Sequence, residues 1–312
     1  MFGSVSVVRS LPENQHMDSV SDEDFVMVTG AGGHIGREVC RLLRTRGCKI
    51  LPVDVDSATR DIITCDLRLK DQVSQLFRSH PVRAVIHLAG ILPSSFHSNP
   101  FVGVDVNLTG CFELMRQAVQ ARIKRFVFAS SISVYGLSVT PSRPLTEHDP
   151  AIPDEPYGAS KRVVELVGDT LAGSGTIEFV SLRIARVIGL GIKKTSSPWR
   201  SQILELSAGG SIHIPFAPQA VLSLVHVEDV ARMLITLADT PQMGSSVYNT
   251  PVELWEARRL KEIIEKVGHN RIELGQDGAL GGPICDGTRF AREFGVQLRG
   301  LRERLSDLAG HS

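Results

Sequence analysis

Val26-Met27-Val28-Thr29-Gly30-Ala31-Gly32-Gly33-His34-Ile35-Gly36-Arg37-Glu38-Val39, VMVTGAGGHIGREV in one-letter code, decides how the rest of the chain is read. Phe25 to Val28 is a short apolar run that ends at a glycine turn, as a buried parallel strand does. Beyond the turn, Ile35, Val39, Leu42 and Leu43 recur at helical spacing until Gly47 stops the helix. A second apolar run, Ile50 to Val53, ends in Asp54. The unit is strand, glycine turn, helix, strand, acid. Glycine tolerates positive φ and lets the backbone approach a ligand, while the helix start offers free N–H groups to a pyrophosphate. Asp54, about 18 residues past Gly36, stands where a carboxylate accepts hydrogen bonds from both adenosine ribose hydroxyls. Asp54 would repel a 2′-phosphate, so NAD is expected over NADP, with Arg60 the nearby cation that opposes this preference.

The alternation continues along the chain. Ile62-Ile63 reads as a short strand before Asp66, residues 73–77 as part of a helix, and Ala84 to Leu88 as a strand. A helix over roughly 101–121 precedes the strand Phe126 to Ala129, and a helix from Tyr157 to about Leu171 precedes the strand Phe179 to Leu182. This succession predicts an α/β fold, a Rossmann-type doubly wound parallel sheet whose ligands gather at the carboxyl ends of the strands. Past Gly189 the pattern loosens into the polar stretch GLGIKKTSSPWRSQ. Residues 1–24 are expected to be a flexible extension, 25–188 the NAD-binding domain with the reacting groups, and 189–312 mainly a smaller C-terminal substrate-binding lobe that lends some elements to the sheet.

Composition narrows the class. Lys plus Arg (34) equals Asp plus Glu (34), so no net field draws the chain to nucleic acid or an anionic membrane. The five cysteines are odd in number and lack a C-x-x-C pair, which argues against a disulfide framework or a metal site and fits a reducing cytoplasm. No stretch approaches the roughly 20 apolar residues of a membrane-spanning helix.

Tyr157-Gly158-Ala159-Ser160-Lys161 sets a phenol and an ammonium four residues apart on one helix face. A tyrosine hydroxyl, with pKa about 10, is a poor base until a nearby positive charge favours phenolate. Tyr157 could then take the proton of a substrate alcohol while hydride leaves its carbon. Upstream, FVFASSISVYG places Ser130, Ser131 and Ser133 just past a strand, where a hydroxyl can hold the substrate oxygen or simply cap the turn.

Taken in order, TGAGGHIG, Asp54, CDL (65–67), HLAG (87–90), VNLTG (106–110), SSISVYG (130–136), YGASK (157–161), SLRIARVIG (181–189) and LVHVEDVA (224–231) resemble the extended short-chain dehydrogenase/reductase family, its NAD-dependent epimerase/dehydratase group. The resemblance runs from residue 25 to about 310. It implies that Gly30, Gly33 and Gly36 shape the pyrophosphate loop, with Ile35 giving a backbone N–H and His34 lying along the cofactor as a surface residue. Asp54 would bind the ribose, and Asp66 and Leu67 would lie beside adenine. Leu88, Ala89 and Gly90 would line the cofactor cleft above Asn107. Ser131, Tyr157 and Lys161 would be the catalytic set, Lys161 lowering the phenol's pKa and holding the nicotinamide ribose. A homodimer through the helices near 101–121 and 157–171 is also implied, with Leu108, Cys111, Phe112 and Met115 as its apolar stripe or, equally, as a core face.

Departures from the family pattern bear on the substrate. The dehydratase members resemble one another in an Asp-Glu pair where this chain has Ile132 and Ser133, so water elimination is disfavoured. The Arg that nucleotide-sugar epimerases carry before H-V-x-D-V is Leu222 here, and Arg186 stands where they favour Asn. Arg186 or Arg200 could supply the missing anion contact, and Ser94 could touch substrate hydroxyls. The preferred reading is NAD-dependent hydride transfer at a carbinol carbon of a carbohydrate, of nucleotide-sugar epimerase type. The alternative is a dehydrogenase or reductase of a sugar, sugar acid or other secondary alcohol. A non-catalytic NAD-binding sensor or scaffold comes last, because the Ser/Tyr/Lys set is complete.

Overall fold

The computed structural model describes residues 24–56, 59, 61–138, 143–191, 197–206, 209–276 and 281–310. Arg60 and all but the last residue of the 1–24 extension lie outside them. The first half alternates strand and helix: β1 (Phe25–Thr29), α1 (His34–Thr45), β2 (Ile50–Asp54), β3 (Ile63–Thr64), α2 (Lys70–Ser79) and β4 (Val82–His87). Then come α3 (Pro93–Ser98), α4 (Pro100–Val104), a π-helical turn (Asp105–Gly110), α5 (Cys111–Gln120), β5 (Arg125–Ser131), a 3₁₀ turn (Ile132–Tyr135) and α6 (Pro156–Gly173). The remainder is β6 (Glu178–Ile184), β7 (Arg186–Ile188), α7 (Trp199–Gln202), β8 (Gly210–Ile214), β9 (Val221–His226), α8 (Val227–Asp239), β10 (Val247–Asn249), β11 (Glu253–Glu256), α9 (Ala257–Val267), β12 (Asn270–Leu274), α10 (Thr288–Phe294) and α11 (Leu301–Gly310).

Seven strands form one parallel sheet in the order β10-β6-β5-β4-β1-β2-β3. The chain winds outward from β1 to β3, returns, and winds the other way from β4, so the crevice at the strand ends opens between β1 and β4. Side chains alternate across the sheet. Val26 and Val28 join Val39, Leu43, Val230 and Leu234 on one face, while Met27 joins Val73, Leu114 and Val164 on the other. Burial on both faces is why these strands read as unbroken apolar runs.

The last third divides its elements. β10 extends the central sheet beside β6, and α8 packs on α1, so part of this segment belongs to the main layers. β7, β9 and β11 form a second sheet, β8 pairs with β12, and a third core gathers around Trp199, Leu222, Leu260 and Ile272.

The helix expected over 101–121 is interrupted by the π-turn at Asp105–Gly110, and Pro93, at the first helical position, starts a helix in the polar stretch after β4. Of the apolar stripe, Cys111 and Met115 are core residues of the central sheet. The exposed apolar side chains of this surface are Phe101 and Val104 on α4 and Val163, Leu166 and Val167 on α6.

Candidate active site

Two glycines fix the β1–α1 loop. Gly30 has φ +68°, and a Cβ there would stand 2.7 Å from the Ala89 nitrogen. A Cβ at Gly36 would collide with the Gly30 carbonyl. α1 begins without a side-chain cap and with no acid in its first turn, so its positive end stays available to an anion. Asp54, at the end of β2, accepts from Gly32 N at 2.9 Å and Asp56 N at 3.3 Å, tying the loop to the neighbouring strand. A carboxylate has about four acceptor positions, so room remains for ribose hydroxyls. A cradle that any Cβ would fill, an uncapped helix start and a strand-end carboxylate together fit a dinucleotide.

His34 opens α1 and departs from the surface reading: its Nε2 is buried, against Gly189, which also packs on Val227. Burial first, then the charges of Arg37 and Arg200, lower its pKa to about 4 and keep it neutral. The carboxylate of Asp66 is engaged by Arg68 at 2.9 and 3.0 Å from Nε, while Leu67 is buried in the core against Gly110.

The crevice floor is held by two polar side chains. Thr29 Oγ1 accepts from Leu88 N and Ala89 N, both at 3.3 Å, and shares a 2.7 Å hydrogen bond with the buried His87. Asn107, on the π-turn, grips the backbone of Ile91 from both sides: its Oδ1 accepts from Ile91 N at 2.7 Å and its Nδ2 donates to Ile91 O at 3.0 Å. The same Nδ2 reaches Ser160 on α6, and Gly90 lies against Asn107 and the Lys161 ammonium. Asn107 lies within the π-helical turn, a local widening of the helix that recurs at functional sites.

At the end of β5, Ser131 meets Tyr157 and Lys161. Glu155 caps α6 by accepting from Tyr157 N (2.9 Å) and Gly158 N (2.5 Å), and Pro156 fills the first helical position. A Cβ at Gly158 would strike the Ser133 carbonyl, so this glycine lets α6 lie against the 3₁₀ turn. Ser131 Oγ accepts from Ser133 N and donates to Ser133 Oγ, both at 3.1 Å, and its hydroxyl is close enough to the Tyr157 phenol to favour the ionised form. Lys161 Nζ donates to Ala129 O at 2.8 Å and lies 4.7 Å from the Phe128 ring centroid and 5.6 Å from that of Tyr157.

Burial pushes the Tyr157 phenol up to about 12; the Ser131 hydroxyl and the Arg200 charge oppose this, and the Glu155 carboxylate adds to it. Arg200 thus joins Lys161 as a cation near the phenol, with the Lys161 ammonium held by the Ala129 carbonyl. Burial lowers Lys161 to about 8, against the pull of Cys111 and Glu165.

Arg186 donates to Gly281 O at 3.2 Å and stacks 4.6 Å above the Phe216 ring; burial and the Arg200 charge bring its pKa to about 10. Arg200, on α7, acts electrostatically on His34, Tyr157 and Arg186 alike. Ser94 is exposed on α3, where its carbonyl accepts from Ser98 Oγ. Thr29, Glu155 and Glu165 escaped the sequence reading. Only Glu155, an acid directly before a helix-opening Pro156, carried a local signal.

Residues 26–250 match the model of the NAD dependent epimerase/dehydratase family. The UDP-glucose 4-epimerase of Bacillus subtilis is 25% identical over 332 residues, covering 90% of this chain and 95% of that protein. The bifunctional protein GAL10 of Pachysolen tannophilus is 26% identical over 250 residues, 67% of this chain but only 35% of its own length. Among solved structures, the UDP-glucose 4-epimerase of Thermus thermophilus in complex with NAD superposes with TM-score 0.77 at 23% identity, covering 92% of this chain and 98% of that one. The L-threonine dehydrogenase of Phytophthora infestans gives TM-score 0.81 at 20% identity, with the same coverage. At such identities the structures establish a common fold. The match over 26–250 establishes more: the chain belongs to the NAD dependent epimerase/dehydratase family.

Proposed function

We propose that the protein is an NAD-dependent enzyme that moves hydride at a carbinol carbon of a nucleotide sugar and inverts that carbon through a transient ketone. Bound NAD would supply the hydride acceptor and donor. Gly30, Gly33 and Gly36 with the α1 start would hold its pyrophosphate, and Asp54 its ribose. Leu88, Ala89, Gly90 and Asn107 would shape the crevice, with Leu67 at the adenine side.

The observation that carries this reading is the convergence at the carboxyl end of β5: Ser131 ends the strand, Lys161 Nζ donates to Ala129 O on the same strand, and the Ser131 hydroxyl acts on the Tyr157 phenol. Ser131 would hold the substrate oxygen, and Tyr157 would exchange the proton with it. Burial pushes the phenol up to about 12, so at pH 7 Tyr157 holds its proton and stands ready to donate it. Lys161 and Arg200 are the cations that would stabilise phenolate in the opposite direction. Incubation with NAD and UDP-glucose, followed by proton NMR of the sugar, is expected to yield UDP-galactose without net NADH. Accumulation of stoichiometric NADH with no epimer would overturn the epimerase reading.

That second outcome belongs to a second reading, a dehydrogenase or reductase of a sugar acid or other small secondary alcohol. It is favoured by Leu222, which is fully buried opposite Trp255 where the resemblance calls for a diphosphate-binding Arg. Arg200, close enough to act on Tyr157, would suit a carboxylate near the reacting carbon.

We also infer a homodimer through α4 and α6, whose Phe101, Val104, Val163, Leu166 and Val167 are exposed. Sedimentation equilibrium showing only monomer would remove it. Among the described residues no helix is long and apolar enough to cross a membrane. Five free cysteines, four of them buried, support a reducing cytoplasm as the location.

A further inference from the structure

Tyr157, Lys161 and Glu165 follow one another at four-residue intervals on α6 and so share one helix face. Glu165 is 1% exposed, and a buried carboxylate is costly unless its acceptors are filled. Here they are filled. Oε1 accepts from Ser130 Oγ at 2.6 Å and Arg183 Nε at 2.9 Å; Oε2 accepts from Arg183 Nη2 at 2.8 Å and Arg162 Nη1 at 3.0 Å. The donors come from β5, β6 and α6 itself.

Arg183 extends the network to the far side of Ser131. Its Nη1 donates to the Tyr135 hydroxyl at 2.8 Å, and its guanidinium lies 4.8 Å above the Tyr135 ring. Ser130 precedes Ser131, and Tyr135 closes the 3₁₀ turn that follows it. Both ends of the segment bearing the seryl hydroxyl are therefore tied to one carboxylate–guanidinium pair. Buried ion pairs can often be replaced by apolar pairs of similar volume at little cost in stability, so stability alone is a weak account of this one.

We propose that Glu165 is a positioning residue of the reaction, locking α6 to the end of β5 so that Tyr157 and Lys161 stay in register with Ser131. The proposal rests on the reading of those three as the reacting groups. It has an electrostatic corollary at Lys161. The groups facing that ammonium are Tyr157 and Glu165 on its own helix, Cys111 on α5 and His87 on β4, with Arg183 on β6 and Arg162 on α6 behind Glu165. Glu165 and Cys111 favour the charged form.

Opposite substitutions should therefore move Lys161 in opposite directions. In Glu165→Gln the ammonium loses its proton at lower pH, and in Arg183→Gln, which uncovers the carboxylate, at higher pH, each by about one unit. The titration is read by ¹³C NMR of the Lys161 side chain in the NAD-free protein, assigned with Lys161→Arg. In turnover, Glu165→Gln is expected to lower kcat by about 10–100-fold with KM little changed, and to shift the alkaline limb of kcat down. Glu165→Asp, which keeps charge but shortens the reach, should retain the limb and lose kcat. A Glu165→Gln protein that loses only Tm, with kcat and the Lys161 titration unmoved, would make the network purely structural. If Glu165→Gln does not fold, a Glu165→Asp protein with full kcat overturns the proposal. Should no alcohol support turnover in the wild type, the reading of the reacting groups fails, while the NMR titration still decides whether Glu165 governs Lys161.

Discussion

The β1–α1 loop and the β7–α7 segment meet where Arg200 acts on His34, yet they are specified in different ways. The loop is shaped by backbone. Gly30 and Gly36 leave space that no side chain can enter, and Asp54 ties the turn by its Gly32 bond. The β7–α7 segment presents side chains instead: Arg186 propped on Phe216, and Arg200 beyond it near Tyr157. A backbone-built wall suits one invariant ligand part, a dinucleotide phosphate. A wall of long side chains can be retuned by single substitutions, and the proposed function assigns substrate identity to it.

The largest effect is expected where the two walls converge. Tyr157→Phe removes the exchangeable proton and should cut kcat by about 10²–10⁴-fold while leaving NAD affinity in place. Steady-state kinetics together with NAD binding by fluorescence read both quantities. Wild-type turnover in this variant would exclude Tyr157 from the chemistry.

Next comes a matched pair of glycines. Gly36→Ala drives a Cβ into the Gly30 carbonyl, and overpacking of this kind costs about 1–3 kcal/mol. It should also abolish the rise in Tm that NAD gives the wild type. Gly191, in the arginine segment, has φ +84° and nothing within 4 Å of its Cβ position. Gly191→Ala should cost about 1 kcal/mol from backbone strain alone, with the NAD-dependent rise intact. Equal loss of NAD stabilisation in both would erase the distinction between the walls.

Legibility in the sequence follows the same division. Glycine positions, the strand-end Asp54 and the Tyr157–Lys161 spacing are local features, so a linear reading reached them. Glu165 on α6 and Arg183 on β6 are 18 residues apart and meet only because α6 packs back onto β6. His34 reads as a loop surface residue until the end of β7 folds over it, bringing Gly189, which also packs on Val227, against its ring. Cys111 and Met115 show the limit of periodicity: an apolar stripe marks a buried face, and only packing decides whether sheet or partner buries it. The π-turn carried no periodicity signal in the sequence, and the bonds that Asn107 makes from it to Ile91 are tertiary contacts.

Arg200→Ala tests the side-chain wall directly. Losing a charged hydrogen bond to an anionic substrate group is worth about 1.5–3 kcal/mol, so KM should rise by about 10–100-fold without a change in NAD binding. The phenol of Tyr157 loses a stabilising cation, and the basic limb of proton abstraction should move to higher pH. Arg200→Lys should recover the pH limb more fully than KM, because an ammonium restores charge but not a bidentate contact. An unchanged KM in Arg200→Ala would transfer the anion contact to Arg186.

The smallest effect joins both walls and appears on acidification. Burial is the main reason that His34 and His226 are lowered to about 4 and His87 to about 3; Arg37 and Arg200 add to it at His34, Arg304 at His226 and Lys161 at His87. In the unfolded chain these rings bind protons near pH 6.5. Between about pH 6.5 and 4 the unfolded state therefore holds more protons than the folded one, and stability falls as pH falls through that window. Above pH 6.5 the contribution is complete. The carboxylate of Glu228, lowered to about 2 by Arg232 and Arg304, loses its own share only below about pH 4.5, so the interval from 6.5 to 4.5 isolates the imidazoles. Calorimetric Tm should decline across that interval, and His34→Asn should make the decline shallower. Because His34 opens α1 directly after the glycine loop and its ring lies against Gly189 at the start of the arginine segment, both walls should loosen together. A flat Tm profile would mean that the rings accept protons in the folded state, and that His34 is as open to water as its place in the sequence suggests.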